Sequence, residues 1–297
     1  MIETPAPVPA AVAVPHGQAL RRGLRANPLL VAGGALALLI VAVALLAPLI
    51  APFPGDAGTA THPFTVLKPP SAAHWFGTDQ VGRDILSRVL YGARVSPLIA
   101  LFVLLIACGI GIPLGVAAGY FGGWLDEAIM RVTDIFLAFP PLLLALALAA
   151  VLPASLTSVT IAIAVTWWPW YTRLIRGQAA SVAGRPYVES CRALGIPRRQ
   201  IIFRHILPNS VTPLIVQVSL DVGGVILTAS ALSFLGLGAQ DPVPDWGLMV
   251  AEGQSYFTSD WWAVTFPGLA ILLTAFAFNL LGDGLRDLLD PKRNFLS

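Results

Sequence analysis

The stretch from Tyr187 to Pro208, YVESCRALGIPRRQIIFRHILP, is the densest run of groups able to act on something outside the chain. Nothing in it suggests covalent chemistry, and the rest of the chain offers little more. His16, His62, His74 and His205 are scattered and share no ligand spacing. Cys108 falls in an apolar run and Cys191 among arginines, so neither a disulfide nor a metal site is expected. No Ser–His–Asp set or paired carboxylates are evident. The two lysines are followed by Pro69 and Arg293, so a G-x-x-x-x-G-K-[ST] phosphate loop is excluded. Gly109, Gly111, Gly115 and Gly119 have the wrong spacing for a dinucleotide turn and suit close helix packing instead. What remains is binding and movement.

The 187–208 stretch reads as helix, sharp turn, helix. Pro186 fits the first turn of a helix, where its missing N–H has no intrahelical partner to lose. Val188, Cys191, Ala193 and Leu194 give that helix an apolar side. Gly195 suits the left-handed conformation that closes many helices, and Pro197 can open the next. Ile201, Ile202, Ile206 and Leu207 then make an apolar face opposite Arg198, Arg199, Gln200 and Arg204. The expected product is two short helices with an apolar tip at Ala193-Leu194-Gly195-Ile196. Such a knob can enter a groove on a partner and carry sideways motion.

The elements holding this loop must live in lipid. The 297 residues are 56% hydrophobic and 11% charged, with mean hydropathy +0.77. A soluble fold could not cover that much apolar surface. Candidate spans lie near 29–51, 96–119, 134–153, 156–174, 212–237 and 263–286, each long enough to cross about 30 Å of hydrocarbon as a helix. The expected fold class is therefore all-α, a polytopic membrane protein with six transmembrane helices. Residues 1–28 read as a cytoplasmic tail, 29–95 as the first helix plus an extracytoplasmic or interfacial linker, 96–290 as the membrane core and 291–297 as a second tail. The first run is too long for a cleaved signal peptide, whose apolar core spans about 7–15 residues.

Six spans put both termini on one side, and arginine chooses which. With the termini cytoplasmic, every basic residue falls inside except Lys68, Arg83, Arg88 and Arg94. Asp79 and Asp84 partly offset those four, and 84–95 reads as an interfacial helix. The 238–262 loop carries Asp241, Asp245, Glu252 and Asp260 with no Lys or Arg, which suits the outer face.

The 187–208 stretch resembles the EAA loop of ABC-importer membrane subunits. Glu189, Ser190 and Cys191 stand at the E-A-A positions, Gly195 at the motif glycine and Leu207-Pro208 at its close. HWFGTDQVGRDILSRVLYGARVS (74–96), LSFLGLG (232–238), PDWG (244–247), FPGLAI (266–271) and FNLLGDGLRDLLDP (278–291) are similar, in order, to the second permease of dipeptide, oligopeptide and nickel importers. The resemblance implies a type I importer transmembrane fold in the bacterial inner membrane. It further implies a homologous second permease, two P-loop ATPases, an extracytoplasmic solute-binding protein and a peptide substrate. ATP and magnesium would sit on the ATPases; no cofactor, metal or nucleic acid is expected on this chain. Tyr187, Glu189, Ser190, Cys191, Ala193, Leu194, Gly195, Ile196, Pro197, Arg198 and Gln200 would form the ATPase-coupling surface, within a loop spanning 185–208.

Asp221 is the acid most clearly inside a predicted span. A group at that depth normally faces a bundle interior, a partner or water, so it either lines a path or meets the second permease. Asn279 is a second candidate for the translocation path or the permease–permease interface, and is placed to hydrogen-bond a neighbouring helix. Within the family, nickel, glutathione or opines are alternative substrates. From another class, a lone secondary transporter would need inverted repeats with broken helices, and the EAA-like loop has no counterpart elsewhere in the chain.

Overall fold

A computed structural model describes residues 27–289; the expected tails at 1–28 and 291–297 lie outside the described residues, except that Asn27 and Pro28 already cap and begin the first helix. Among the described residues every regular element is helical. Helix α1 (Pro28–Ile50) opens on Asn27, whose side chain accepts from the Leu30 N–H, and Pro sits at its start. Two short 3₁₀ turns then lead to α2 (Ile85–Phe121), capped by Asp84 accepting the Ser87 N–H at 2.8 Å. At 37 residues, α2 is about 55 Å long at 1.5 Å per residue. The expected interfacial helix 84–95 and the second span are therefore one continuous element.

The third expected span, 134–153, needs correction. Residues Gly123–Leu137 form an amphipathic helix, α3, and Pro141–Val151 a separate one, α4, bent 84° from it. Pro140 and Pro141 explain the break, because proline withholds a donor and pushes the residue before it out of the helical region. With 11 residues α4 reaches only about 16 Å, too short to cross alone. Helix α5 (Leu156–Ala183) starts at Ser155, whose hydroxyl accepts from the Ser158 N–H, and runs past the expected end at 174. Ile175, Ala179, Val182 and Ala183 extend its buried face inward at helical spacing.

After the loop region come α9 (Thr212–Phe234), α10 (Trp246–Gly253) and α11 (Trp262–Leu289), with α6 to α8 reserved for the loop's own helices. Helices α1, α2, α9 and α11 are each long and apolar enough to span, and the bent α3–α4 pair makes a fifth crossing if counted as one. α5 has the length but not the apolarity, because Thr, Trp and Tyr residues interrupt its apolar run. The six-span arrangement is compatible with this set.

Helices in lipid gain little from hydrophobic exclusion, so they need small residues that let backbones approach. Along α2, Cβ atoms added at Gly111, Gly115 and Gly119 would lie 2.7 Å from Tyr171 Cβ, 2.6 Å from the Thr172 carbonyl and 2.8 Å from Ala179 Cβ. α2 and α5 thus meet along three successive turns. Gly33 and Gly284 do the same for α1 against α11.

This seam predicts a contrast between neighbouring glycines. Gly115→Ala should lower the stability of the purified chain by about 1–3 kcal/mol through overpacking. Gly109→Ala, with nothing within 4 Å of the new methyl, should be neutral or stabilising by up to about 1 kcal/mol. Thermal unfolding in detergent measures both; equal effects would mean the seam is loose.

Candidate functional site

The loop between α5 and α9 is built from three short helices and a wide turn. Helix α6 (Pro186–Ala193) ends in paired hydrogen bonds: Gly195 N–H to the Arg192 carbonyl at 3.0 Å and Ile196 N–H to the Cys191 carbonyl at 3.1 Å. This is a Schellman closure, and it needs Gly195 at φ +74°, where a side chain would be strained. Space is not the reason for glycine here, since a Cβ would meet nothing within 4 Å. Pro197 precedes α7 (Arg198–Ile201), as its fixed φ and missing donor allow.

The second helix of the loop is less regular than expected. Residues Ile202–Ile206 widen into a π turn, with Leu207 N–H bonding the Ile202 carbonyl, before α8 (Leu207–Ser210). Pro208 supplies the cause: it cannot donate to the preceding turn, and widening makes room for its ring. Side chains take up some freed carbonyls, Asn209 Nδ2 on His205 at 2.7 Å and Ser210 Oγ on Ile206 at 2.8 Å.

Burial splits the loop into a root and a knob. Val188, Ile201 and Ile206 are fully buried, and Cys191, Ile196, Ile202 and Leu207 pack against the same core as α2, α5 and α9. Leu194 is 79% exposed, with Ala193, Gly195, Pro197, Arg198 and Gln200 exposed around it. The expected tip is therefore Ala193-Leu194-Gly195, with Ile196 turned inward. Tyr187, Glu189 and Ser190 are exposed on α6; Ser190 Oγ donates to the Pro186 carbonyl at 3.0 Å. Tyr187 meets His205 edge to face at 6.0 Å, and Arg192 lies over the Tyr120 ring at 5.0 Å. Arg185, Arg192, Arg198, Arg199 and Arg204 are exposed, and none is in an ion pair among the described residues. The surface offered is one leucine in a ring of unpaired guanidinium groups.

Deeper in the bundle, Asp221 of α9 accepts hydrogen bonds from Tyr171 Oη at 2.7 Å and Gln217 Nε2 at 2.9 Å. Trp167, Trp170, Arg173, Leu174, Gln217 and Asp221 line a cavity of about 500 Å³. Trp168 is buried against Phe136, whereas Trp167 and Trp170 face the cavity. Tyr171 and Gln217 carry no motif that would have flagged them. Asn279 is exposed on α11, its Nδ2 3.3 Å from where a Gly223 Cβ would stand, and it has no hydrogen-bond partner among the described residues.

Residues 111–295 match the family described as binding-protein-dependent transport system inner membrane component. The chain belongs to this family. Residues 17–70 also match the N-terminal transmembrane domain of oligopeptide transport permease C. Relatives include the probable D,D-dipeptide transport system permease protein DdpC of Escherichia coli K12, 49% identical over 91% of this chain and 89% of its own. The dipeptide transport system permease protein DppC of Alkalihalophilus pseudofirmus is 45% identical over 91% and 88%. The glutathione transport system permease protein GsiD of Pectobacterium atrosepticum is 44% identical over 95% and 92%. Among solved structures, a chain of the MetNI methionine ABC transporter in inward-facing conformations aligns over 69% of this chain and 98% of its own, with TM-score 0.55 and 15% identity. That likeness concerns the fold alone.

The 74–96 and 244–247 motifs of this membrane component meet in a second cluster. Arg83 and Arg88 are buried, not free interfacial charges. Arg83 Nε donates to Asp79 Oδ2 at 2.7 Å and Nη1 to Asp241 Oδ1 at 2.6 Å; Arg88 lies 3.6 Å from Asp79 and 3.8 Å from Glu252. Of the basic exceptions in the first loop, Arg83 and Arg88 are thus paired with Asp79 of their own segment and with Asp241 and Glu252 of the 238–262 loop. That loop's excess of acid over base was the signal available in the sequence. PDWG sits in the same cluster: Asp245 caps α10 at the Leu248 N–H, and Trp246 Nε1 donates to the Val89 carbonyl at 3.0 Å. Trp262 is buried too, its Nε1 donating to the Thr78 carbonyl at 3.3 Å.

Burial pushes the Glu252 carboxyl above its usual range, with Arg88 and Arg83 acting against the shift. Because folded Glu252 holds its proton more tightly than the unfolded side chain, its contribution to stability is full below its ordinary value of 4.5 and is lost as pH rises through the raised folded value. Glu252→Gln should therefore flatten the pH dependence of thermal stability in that window. An unchanged slope would show that Glu252 is not desolvated.

Proposed function

We propose that this chain is one half of a heterodimeric permease that imports di- and oligopeptides, driven by two cytoplasmic P-loop ATPases seated on the 185–208 loop. The observation that carries the reading is the exposed Leu194 knob on a Schellman-closed helix whose root is sunk in the membrane core. A surface built this way moves with the bundle and can be gripped from outside. The unpaired arginines around it suit an acidic rim on the partner and support a cytoplasmic position for the loop and both termini.

In the proposed cycle, ATP closes the ATPase dimer and draws the knob with it. α5 and α9, rooted in the same core, then shift against the partner permease to open outward. An extracytoplasmic binding protein delivers the substrate, and hydrolysis returns the pair inward. This chain hydrolyses nothing; ATP and magnesium belong to the ATPases, and its own part is half a path and a lever. The peptide cargo is supported by relatives named for D,D-dipeptide, dipeptide and glutathione transport.

Gly195→Pro tests the lever. Proline cannot adopt φ +74° and removes the N–H that bonds Arg192, so the knob loses its closure. The variant should insert and assemble in the membrane yet abolish transport-coupled ATPase activity in the reconstituted complex. Coupling at the wild-type level would contradict the assignment.

A further inference from the structure

Asp221 sits nine residues into α9, roughly 14 Å along the helix from Thr212. It is an ionisable group at membrane depth that the chain leaves incomplete. Its two contacts, Tyr171 Oη and Gln217 Nε2, are neutral donors. An ionised carboxylate has about four acceptor positions, so two remain open. No cation reaches it among the described residues: Arg173, on the same cavity wall, is engaged by Asp134 of α3. Buried carboxylates without a counter-charge are costly in a bilayer, and those that persist have a partner.

We propose that the cavity is a substrate subsite in which Asp221 receives a primary ammonium group. The proposal rests on the peptide-import reading and names the part of the peptide that is held. Three features favour a small ammonium-bearing ligand over a side chain of a partner protein. The cavity, about 500 Å³, lies in the range that holds small molecules. Trp167 and Trp170 form its walls, and aromatic faces attract ammonium groups while sheltering apolar side chains. Arg173 also lines it, and only one of its nitrogens is taken by Asp134, leaving donors for a carboxylate. An anion-accepting and an ammonium-accepting group around one aromatic cavity match a zwitterion. Tyr171 and Gln217 act as positioning residues that hold the carboxylate ready.

The test uses the purified complex of both permeases with their ATPases. Dicyclohexylcarbodiimide labels Asp221, and mass spectrometry follows the adduct with no addition, n-propylamine, Ala-Ala or N-acetyl-Ala-Ala. At about ten times their Kd, n-propylamine and Ala-Ala should slow labelling roughly tenfold, and N-acetyl-Ala-Ala should not. Equal labelling in all conditions overturns the subsite. Protection in every condition, relieved only by replacing a basic residue of the second permease, also overturns it and assigns Asp221 to the permease interface. Ala-Ala uptake into proteoliposomes separates this claim from the peptide reading. Amine protection without uptake keeps the subsite and removes the peptide cargo, whereas uptake without protection does the reverse. Asp221→Asn should lower uptake by about tenfold or more with stimulated ATPase activity retained, and Asp221→Glu should restore most of it. Wild-type uptake by Asp221→Asn, or a parallel fall in uptake and ATPase activity, overturns the role.

Discussion

The backbone-to-backbone seam between α2 and α5 is the constraint on which the rest depends. Lipid tails are as apolar as leucine, so nothing squeezes these helices together except close packing. Gly111, Gly115 and Gly119 supply it by leaving no side chain between α2 and the Tyr171–Ala179 stretch of α5. α5 can then carry polar and aromatic residues unusual for a spanning helix, because its partners are protein. It becomes a rigid strut that starts at the Ser155 turn, forms one wall of the Asp221 cavity and ends at the root of the loop.

That continuity makes the loop a lever. Val188, Ile201 and Ile206 share a single core with Val103, Tyr171 and Ile226, so displacing the knob must displace the helices. A loop that dangled from α5 could be gripped without consequence. At the other end, the Arg83–Asp79–Asp241–Glu252 cluster ties the segment just before α2 to the α9–α10 connection and to α10 itself. Truncating one member would strand buried charge, which costs about 3–5 kcal/mol. The bundle is thus clamped at one end and carries the loop at the other, with the cavity between.

The sequence disclosed the loop well because its signals are local. Pro186, Gly195 and Pro197 each demand one backbone state, and helix, turn and second helix follow from them. It disclosed α1, α9 and α11 because apolar runs bounded by polar residues leave few alternatives. It misread α3–α4, where hydropathy averaged over a break that Pro140 and Pro141 enforce. It stopped α5 too early, because Arg173 and Arg176 look like a membrane exit yet pair with Asp134 and Asp126 of α3. The π turn was invisible, since proline signals a disturbance without specifying its form. The outer clasp and the Tyr171–Asp221–Gln217 group join residues far apart in the chain. Long-range pairing of that kind leaves only the faint trace of complementary charge in two loops.

The central claim is that the Leu194 knob faces the cytoplasm and is held there by a nucleotide-driven motor. Leu194→Cys, in a chain whose Cys108 and Cys191 are replaced by serine, gives the most direct measurement with a membrane-impermeant maleimide. The account predicts labelling in inverted vesicles and none in intact cells, with protection when the ATPases are bound. Labelling from outside, or equal labelling with and without the ATPases, would contradict it.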